Sequence, residues 1–345
     1  MKTFLLKEKD LGFFPDWEDI FGRKAPIYLE IGMGNGEFSI WLAQNNPHIN
    51  VIGIDVSKEI IRKAERKVNK ANLENLRIVR IEGAKALCKL FNPQSLKAVF
   101  MNFPDPWTKK SHKERRIIND AFCYLLGDRL EIEGYFIMAT DSLDYANYTV
   151  EIFEKVGVFK SLWEKNIIND FPGYYKTKYA RKWISMGLPI YYIGYKKMKT
   201  IEIPSWVKDL YPLLKLEKEE IIMPYIIMEI KEDPKIEEVL KILPKGIYER
   251  NNKIVNYLSF YSKENEILID TVVVEGSLRQ RFFISLYLND HKLKISIHEA
   301  TDPDPTYGVH ESIAIIFSYL YKRFNELKIL QNTCKKEIVE EILNH

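Results

Sequence analysis

Cysteine is scarce. Cys88, Cys123 and Cys334 are scattered through 345 residues without metal-ligand spacing, which argues against a disulfide framework and predicts a reducing compartment. An excess of one charge is also missing. Lysine and arginine number 51 against 48 acidic residues, a net charge of +3, so any grip on a polyanion must come from clustering. No uninterrupted apolar run approaches the roughly 20 residues that cross a bilayer. The apolar stretch after Met1 is too short for a signal peptide. His291, His298 and His310 fit no metal-ligand spacing. These absences predict a soluble cytoplasmic protein with no membrane partner and no metal.

What is present is a regular alternation. Ile27–Ile31, Val51–Asp55, Leu76–Ile81, Ala98–Asn102 and Tyr135–Thr140 read as strands. Between and after them, Gly36–Asn45, Lys58–Ala71, Lys85–Leu90, Glu114–Leu130 and Leu143–Val156 read as helices, and Tyr191–Tyr195 as a late edge strand. Parallel strands need crossovers, so this pattern predicts an α/β fold with helices on both faces of a parallel sheet. The length favours two domains. Residues 1–25 are a lead-in with Phe13, Phe14, Trp17 and Phe21 available for packing. Residues 26–199 form the α/β domain, and residues 200–345 a smaller α+β domain.

Three features fall at the carboxyl ends of strands, where open α/β sheets bind ligands. Glu30-Ile31-Gly32-Met33-Gly34-Asn35-Gly36 permits a tight turn and a close approach of ligand to backbone at a helix N-terminus. Glu30 is unwelcome beside a pyrophosphate and suits a cationic ligand. Asp55 ends the second strand, where a carboxylate holds a ribose diol; capping the next helix, as Ser57 also could, is the structural alternative. Glycine loop, ribose acid and no phosphate-binding lysine indicate S-adenosylmethionine more than NAD or ATP.

The third feature is Met101-Asn102-Phe103-Pro104-Asp105-Pro106-Trp107 with its basic follow-on Lys109, Lys110, Lys113, Arg115 and Arg116. Two prolines end the strand and hold Asp105 on a stiff turn. An acid, an aromatic ring and a cationic tract at a strand end suit a site that grips a polyanion.

Taken together, Leu29–Gly36, Gly53-Ile54-Asp55, Asn102–Trp107, the basic run with His112 and Arg115-Arg116, Ala139-Thr140-Asp141 and Thr177-Lys178-Tyr179 resemble the tRNA (guanine-N7)-methyltransferase family, over roughly residues 10–197. The resemblance implies a class I (Rossmann-like) methyltransferase fold, S-adenosylmethionine as donor, tRNA as partner and 7-methylguanosine at position 46 as product. It implies Asp105 as the catalytic acid. It assigns Glu30, Gly32, Gly34, Gly36, Asp55, Ala84 and Asn102 to the donor. Lys109, Asp141, Thr177 and Lys178 go to the substrate, and Lys113, Arg115 and Arg116 to the RNA backbone. Three positions depart from the pattern: Ala84 stands for an Asp or Asn near the adenine, Ala180 for a Glu, and Ser111 for an Arg. A methyltransferase on another RNA guanine and a non-catalytic RNA-binding partner are the alternatives. Monomer and homodimer are both open.

Beyond Lys199 the prolines 204, 212, 224, 234 and 244 punctuate a stretch without a catalytic signature. Ile267–Glu275, Arg281–Leu288 and Lys292–His298 read as strands, the last two as a hairpin turning at Asn289-Asp290-His291. Ile313–Phe324 reads as an amphipathic helix. Arg279, Lys292 and Lys294 with Phe283 and Tyr287 leave RNA contact and plain bracing as the readings of this region.

Overall fold

The computed structural model describes residues 4–216, 221–231, 234–324 and 327–344, with the side chains of Lys110 and Lys113 outside that description. The chain divides into two compact units, Met1–Val207 and Lys208–His345.

The first unit holds the expected α/β sheet. Its strands are β1 (Leu5–Leu6), β2 (Ile27–Ile31), β3 (Asn50–Asp55), β4 (Leu76–Arg80), β5 (Leu96–Asn102), β6 (Leu130–Thr140), β7 (Phe159–Ser161), β8 (Ile167–Ile168) and β9 (Tyr191–Lys197). The order is β1-β4-β3-β2-β5-β6-β9-β7, with β8 also on β9. Pairings from β1 to β6 are parallel, and those of β9 are antiparallel. Its helices are α1 (Glu8–Leu11), α2 (Trp17–Phe21), α3 (Glu37–Asn45), α4 (Lys58–Ala71), α5 (Gly83–Leu90), α6 (Asp120–Arg129), α7 (Leu143–Val156), α8 (Lys178–Ser185) and α9 (Ser205–Leu210), the last running past the division.

Sequence and packing agree in the central strands. Leu29, Val51, Ile52, Ile54, Ile78 and Val99 are fully buried, because a sheet covered on both faces has no wet side. Helix α4 buries Ile61, Ala64 and Val68, one stripe at helical spacing. The lead-in packs as its aromatics suggest: Trp17 stacks on Phe91 and its indole N–H donates to the Leu90 carbonyl. In register, Ile31 lies opposite Ile54 and Met101, and Asn102 opposite Ala139. The carboxyl ends of β2, β3, β5 and β6 therefore finish on one level.

One helix differs from expectation. Instead of Glu114–Leu130, a 3-10 turn covers Lys110–Arg115 and α6 begins only at Asp120. The Asn119 side chain accepts from the Phe122 N–H and caps the new start. Residues 116–119 leave the helical path, and the Arg116 side chain is buried.

The second unit contains a seven-stranded antiparallel sheet among the described residues, ordered β11-β12-β13-β14-β15-β10-β16. These strands are β10 (Tyr225–Glu229), β11 (Gly246–Arg250), β12 (Lys253–Lys263), β13 (Glu266–Glu275), β14 (Leu278–Asn289), β15 (Lys292–Ile297) and β16 (Lys328–Asn332). Helices α10 (Ile236–Ile242), α11 (Tyr307–Arg323) and α12 (Lys336–Leu343) complete it. Ile313, Ile316, Phe317 and Leu320 of α11 join Ile267, Ile269, Ile284 and Ile295 in one core. The β14–β15 hairpin turns at Asp290 and His291, both left-handed, as a two-residue primed turn requires. Along β15 exposed lysines alternate with buried Leu293 and Ile295, the expected half-buried pattern.

Candidate active site

Gly32, Gly34 and Gly36 adopt φ of 73°, 54° and 80°, values open to glycine at little steric cost. This folds the loop after β2 back on β3. The N–H groups of Gly32 and Met33 both donate to the Ile54 carbonyl, and that of Gly34 to Asp55 Oδ2 at 3.1 Å. Gly53 makes the approach possible: a Cβ there would lie 2.7 Å from Met33 Sδ and 2.8 Å from Ser39 Oγ. Added Cβ atoms on Gly32 and Gly34 would meet nothing within 4 Å. Both glycines line a cavity of about 580 Å³, and this open cradle borders its space.

Glu30 lies in the cavity wall with 1% of its surface exposed. Ser39 Oγ donates to its Oε2 at 2.5 Å, and Asn102 Nδ2 to its Oε1 at 3.1 Å. The Asn102 amide is held in turn by the Tyr174 hydroxyl, which donates to Oδ1 at 2.9 Å. Among the described residues no ion pair reaches Glu30. Burial pushes its pKa up to about 8, and the two hydrogen bonds pull against that rise. An ammonium placed here would favour the ionised carboxylate.

The opposite wall comes from β5, β6 and α8. The turn after β5 brings Phe103, Pro104, Asp105 and Pro106 to the cavity, and Asp105 is exposed. Asp141, just beyond β6, accepts from the Tyr179 hydroxyl at 3.1 Å. Tyr179 lies 4.8 Å from the Phe103 ring and stacks on Trp183. Thr177 caps α8 by accepting from the Ala180 N–H at 3.2 Å. Thr177 and Lys178 both line the cavity, with Lys63 and Lys182.

Of the residues expected at the site, Glu30, Gly32, Gly34, Asn102, Asp105, Asp141, Thr177 and Lys178 share this one cavity. Gly36, Asp55 and Ala84 do not line it. Gly36 starts α3. Each Asp55 oxygen accepts one backbone N–H, from Gly34 and from Ser57, leaving further lone pairs for a ligand. Ala84 is buried, and the preceding acid, Glu82, caps α5 through the N–H groups of Ala84 and Lys85. Lys109 and Arg115 are exposed on the segment that follows the turn. The Lys113 side chain lies outside the described residues. Arg116 corrects the expectation of an RNA contact: its side chain is fully buried, paired with Asp144 and bonded to the Pro106 carbonyl.

A methyltransferase family model matches residues 24–193, inside the first unit. The tRNA (guanine-N(7)-)-methyltransferase of Thermotoga maritima is 34% identical over 300 residues, covering 86% of this chain and 90% of that one. The enzyme of the same name from Thermus thermophilus is 31% identical over 233 residues, 68% of this chain and 71% of its own. The chain belongs to the tRNA (guanine-N7)-methyltransferase family. The Aquifex aeolicus member is 27% identical over 300 residues, 85% of this chain and 94% of its own. Spans of that length exceed the first unit, so some members of the tRNA (guanine-N7)-methyltransferase family share sequence with the second unit as well.

For a member of this family, two residues of the site carried no signal in the sequence. Ser39 and Tyr174 reach the Glu30 network from one turn inside α3 and from the aromatic run before α8. An ordinary core serine and tyrosine would look the same in the chain. Ala180, which stands where a Glu was expected, is 2% exposed and packs in the core with Phe38, Tyr174 and Tyr192. At the third helical position a glutamate would return a bond to the Thr177 N–H. Alanine leaves that cap one-sided.

Proposed function

We propose that this protein transfers a methyl group from S-adenosylmethionine to guanine N7 in tRNA, at position 46 of the variable loop, in the cytoplasm. One observation carries the reading. The glycine cradle with Glu30 and the proline-braced turn with Asp105 are two walls of a single cavity, so donor and acceptor can meet there. The residues fit the donor: open space beside Gly32 and Gly34, and a buried carboxyl, paired with no cation among the described residues, for its ammonium. Bound there, the donor supplies a methyl carried on a sulfonium.

Guanine N7 has an in-plane lone pair and no proton to lose, so no strong base is asked of the protein. As the new C–N bond forms, the C–S pair leaves with sulfur and the purine becomes cationic. Catalysis is then alignment and stabilisation of that charge. Asp105 serves as the acid beside the guanine. Asp141 orients Tyr179 and faces the same cavity, and Thr177 and Lys178 hold the nucleotide. Lys109, Lys113 and Arg115 meet phosphates, which position the RNA without reading sequence. Asp55 takes the ribose diol. A tritiated transfer assay on bulk tRNA, with the nucleoside identified by mass spectrometry, tests the reading. Labelled 7-methylguanosine at position 46 is expected; label in another nucleoside, or none, would overturn it.

A further inference from the structure

The turn bearing Asp105 has few means of holding itself. Pro104 and Pro106 bring no N–H, and the flanking Phe103 and Trp107 sit at φ of 53° and 42°. Such conformations are strained in non-glycine residues and persist only where the surroundings impose them. At one end the Phe103 N–H donates to the Ala139 carbonyl at 2.7 Å, tying the turn to β6. At the other end stands Arg116. Its Nε donates to the Pro106 carbonyl at 2.8 Å, and its Nη2 pairs with Asp144. The guanidinium lies over the rings of Tyr145 and Tyr148 at 4.7 and 5.0 Å. Asp144, Tyr145 and Tyr148 all belong to the first half of α7.

The neighbouring arginine does the opposite. Arg115 is exposed, and its guanidinium lies 5.3 Å from the Trp107 ring centre. Two adjacent basic residues thus divide, one outward beside the aromatic ring and one inward under the turn.

We infer that Arg116 is a positioning residue for methyl transfer: it ties the Pro106 carbonyl to α7 and thereby sets where Asp105 stands in the cavity wall. The inference rests on the proposed role of Asp105. A lysine at 116 would keep the charge but lacks the planar fork that reaches Pro106 and Asp144 together.

The test is Arg116→Lys in the full chain, with active sites counted by titration with S-adenosylmethionine. Turnover at saturating tRNA is expected to fall about 100-fold, the loss that a misplacement of roughly 1 Å brings. The KM for tRNA and its salt dependence should stay at the wild-type values. Asp144→Asn keeps the shape and weakens the hold on the guanidinium, so it should show the same split at about 10-fold. Wild-type turnover with a salt slope reduced by about one unit would make Arg116 a phosphate contact and overturn the inference. Unchanged turnover per titrated site with only a lower melting temperature would overturn it too, leaving a plain structural brace. The wild-type rate in the same assay tests the proposed function separately: no transfer to tRNA would overturn that reading, and this inference with it.

Discussion

The two units bury carboxyl groups in opposite ways. In the second unit Asp270 receives two bonds from Arg281, at 2.9 and 2.6 Å. Glu311 lies 3.2 Å from Lys253 Nζ. Glu275 accepts from the Gly308 N–H at 2.9 Å, in the first turn of α11. Each of these three buried acids has a cation or a helix N-terminus of its own. In the first unit, among the described residues, Glu30 has only the neutral donors Ser39 and Asn102. The difference separates scaffold from site. A charge that serves the fold is compensated within the unit, whereas a carboxyl left short of a cation is costly unless something from outside completes it.

Removing the acid that the comparison does not cover should give the largest effect. Asp105→Ala is expected to slow transfer about 1000-fold, as for a group acting on developing charge, with donor binding by calorimetry close to wild type. Near-normal turnover would remove Asp105 from the chemistry.

Next comes the scaffold side. Lys253→Met strands Glu311, whose own pKa burial already raises against the pull of Lys253. A loss of about 3 kcal/mol in stability is expected, read by denaturant unfolding, with unchanged donor affinity. A loss of donor binding in a folded variant would blur the division between the units.

Glu30→Gln should behave in the reverse sense. Donor affinity falls by about tenfold or more, as when a charge-assisted bond is lost, yet the free protein becomes more stable at neutral pH. The sign follows from linkage. The carboxyl titrates at 4.5 in an unfolded chain and at about 8 in the folded one, so the stability present below pH 4.5 is lost as pH rises to about 8. Thermal melts from pH 5 to pH 8 should therefore slope downward in the wild type and flatten in the variant. A variant that melts lower throughout would contradict this account of Glu30.

His310 gives the second unit a weaker slope of opposite direction. Burial, aided by the charge of Lys335, brings its pKa down from 6.5 to about 4. The unfolded chain then takes the proton first as pH falls, and stability declines from about pH 6.5 towards 4. His310→Gln should flatten that limb of the melting curve without touching the one from Glu30. The smallest expected effect is that of Arg115→Gln: a tRNA salt slope reduced by about one unit, with turnover unchanged. An unchanged slope would return Arg115 to the solvated surface.

Much of the first unit was legible because its signals are local. Apolar strands, helical stripes and the glycine run of Gly32, Gly34 and Gly36 each lie within a few residues, and Pro104 and Pro106 mark their turn without help from elsewhere. Parts of the second unit were harder. The strand β11 and its partner β12 turn at Asn251 and Asn252, both left-handed, a primed-turn signal in residues less distinctive than Asn-Gly. Helix α8 is short and exposes most of its residues, so its pattern gives no clear buried stripe, although its cap Thr177 lies in a motif that points to chemistry.

By itself the sequence determined the alternation of strands and helices through most of the first unit, the glycine loop, the proline-flanked turn that carries Asp105 and the family, since all of these reside in residue type and spacing. Only the tertiary structure decided what Glu30, Asn102, Tyr174 and Arg116 do. Glu30 is held by an amide 72 positions away, itself held by a hydroxyl another 72 positions on, and its proton affinity depends on the water that those neighbours exclude. Arg115 and Arg116 are chemically identical and adjacent, yet one is exposed and the other fully buried against α7. Nothing in a local pattern distinguishes them, because burial and partnership are properties of the packed chain.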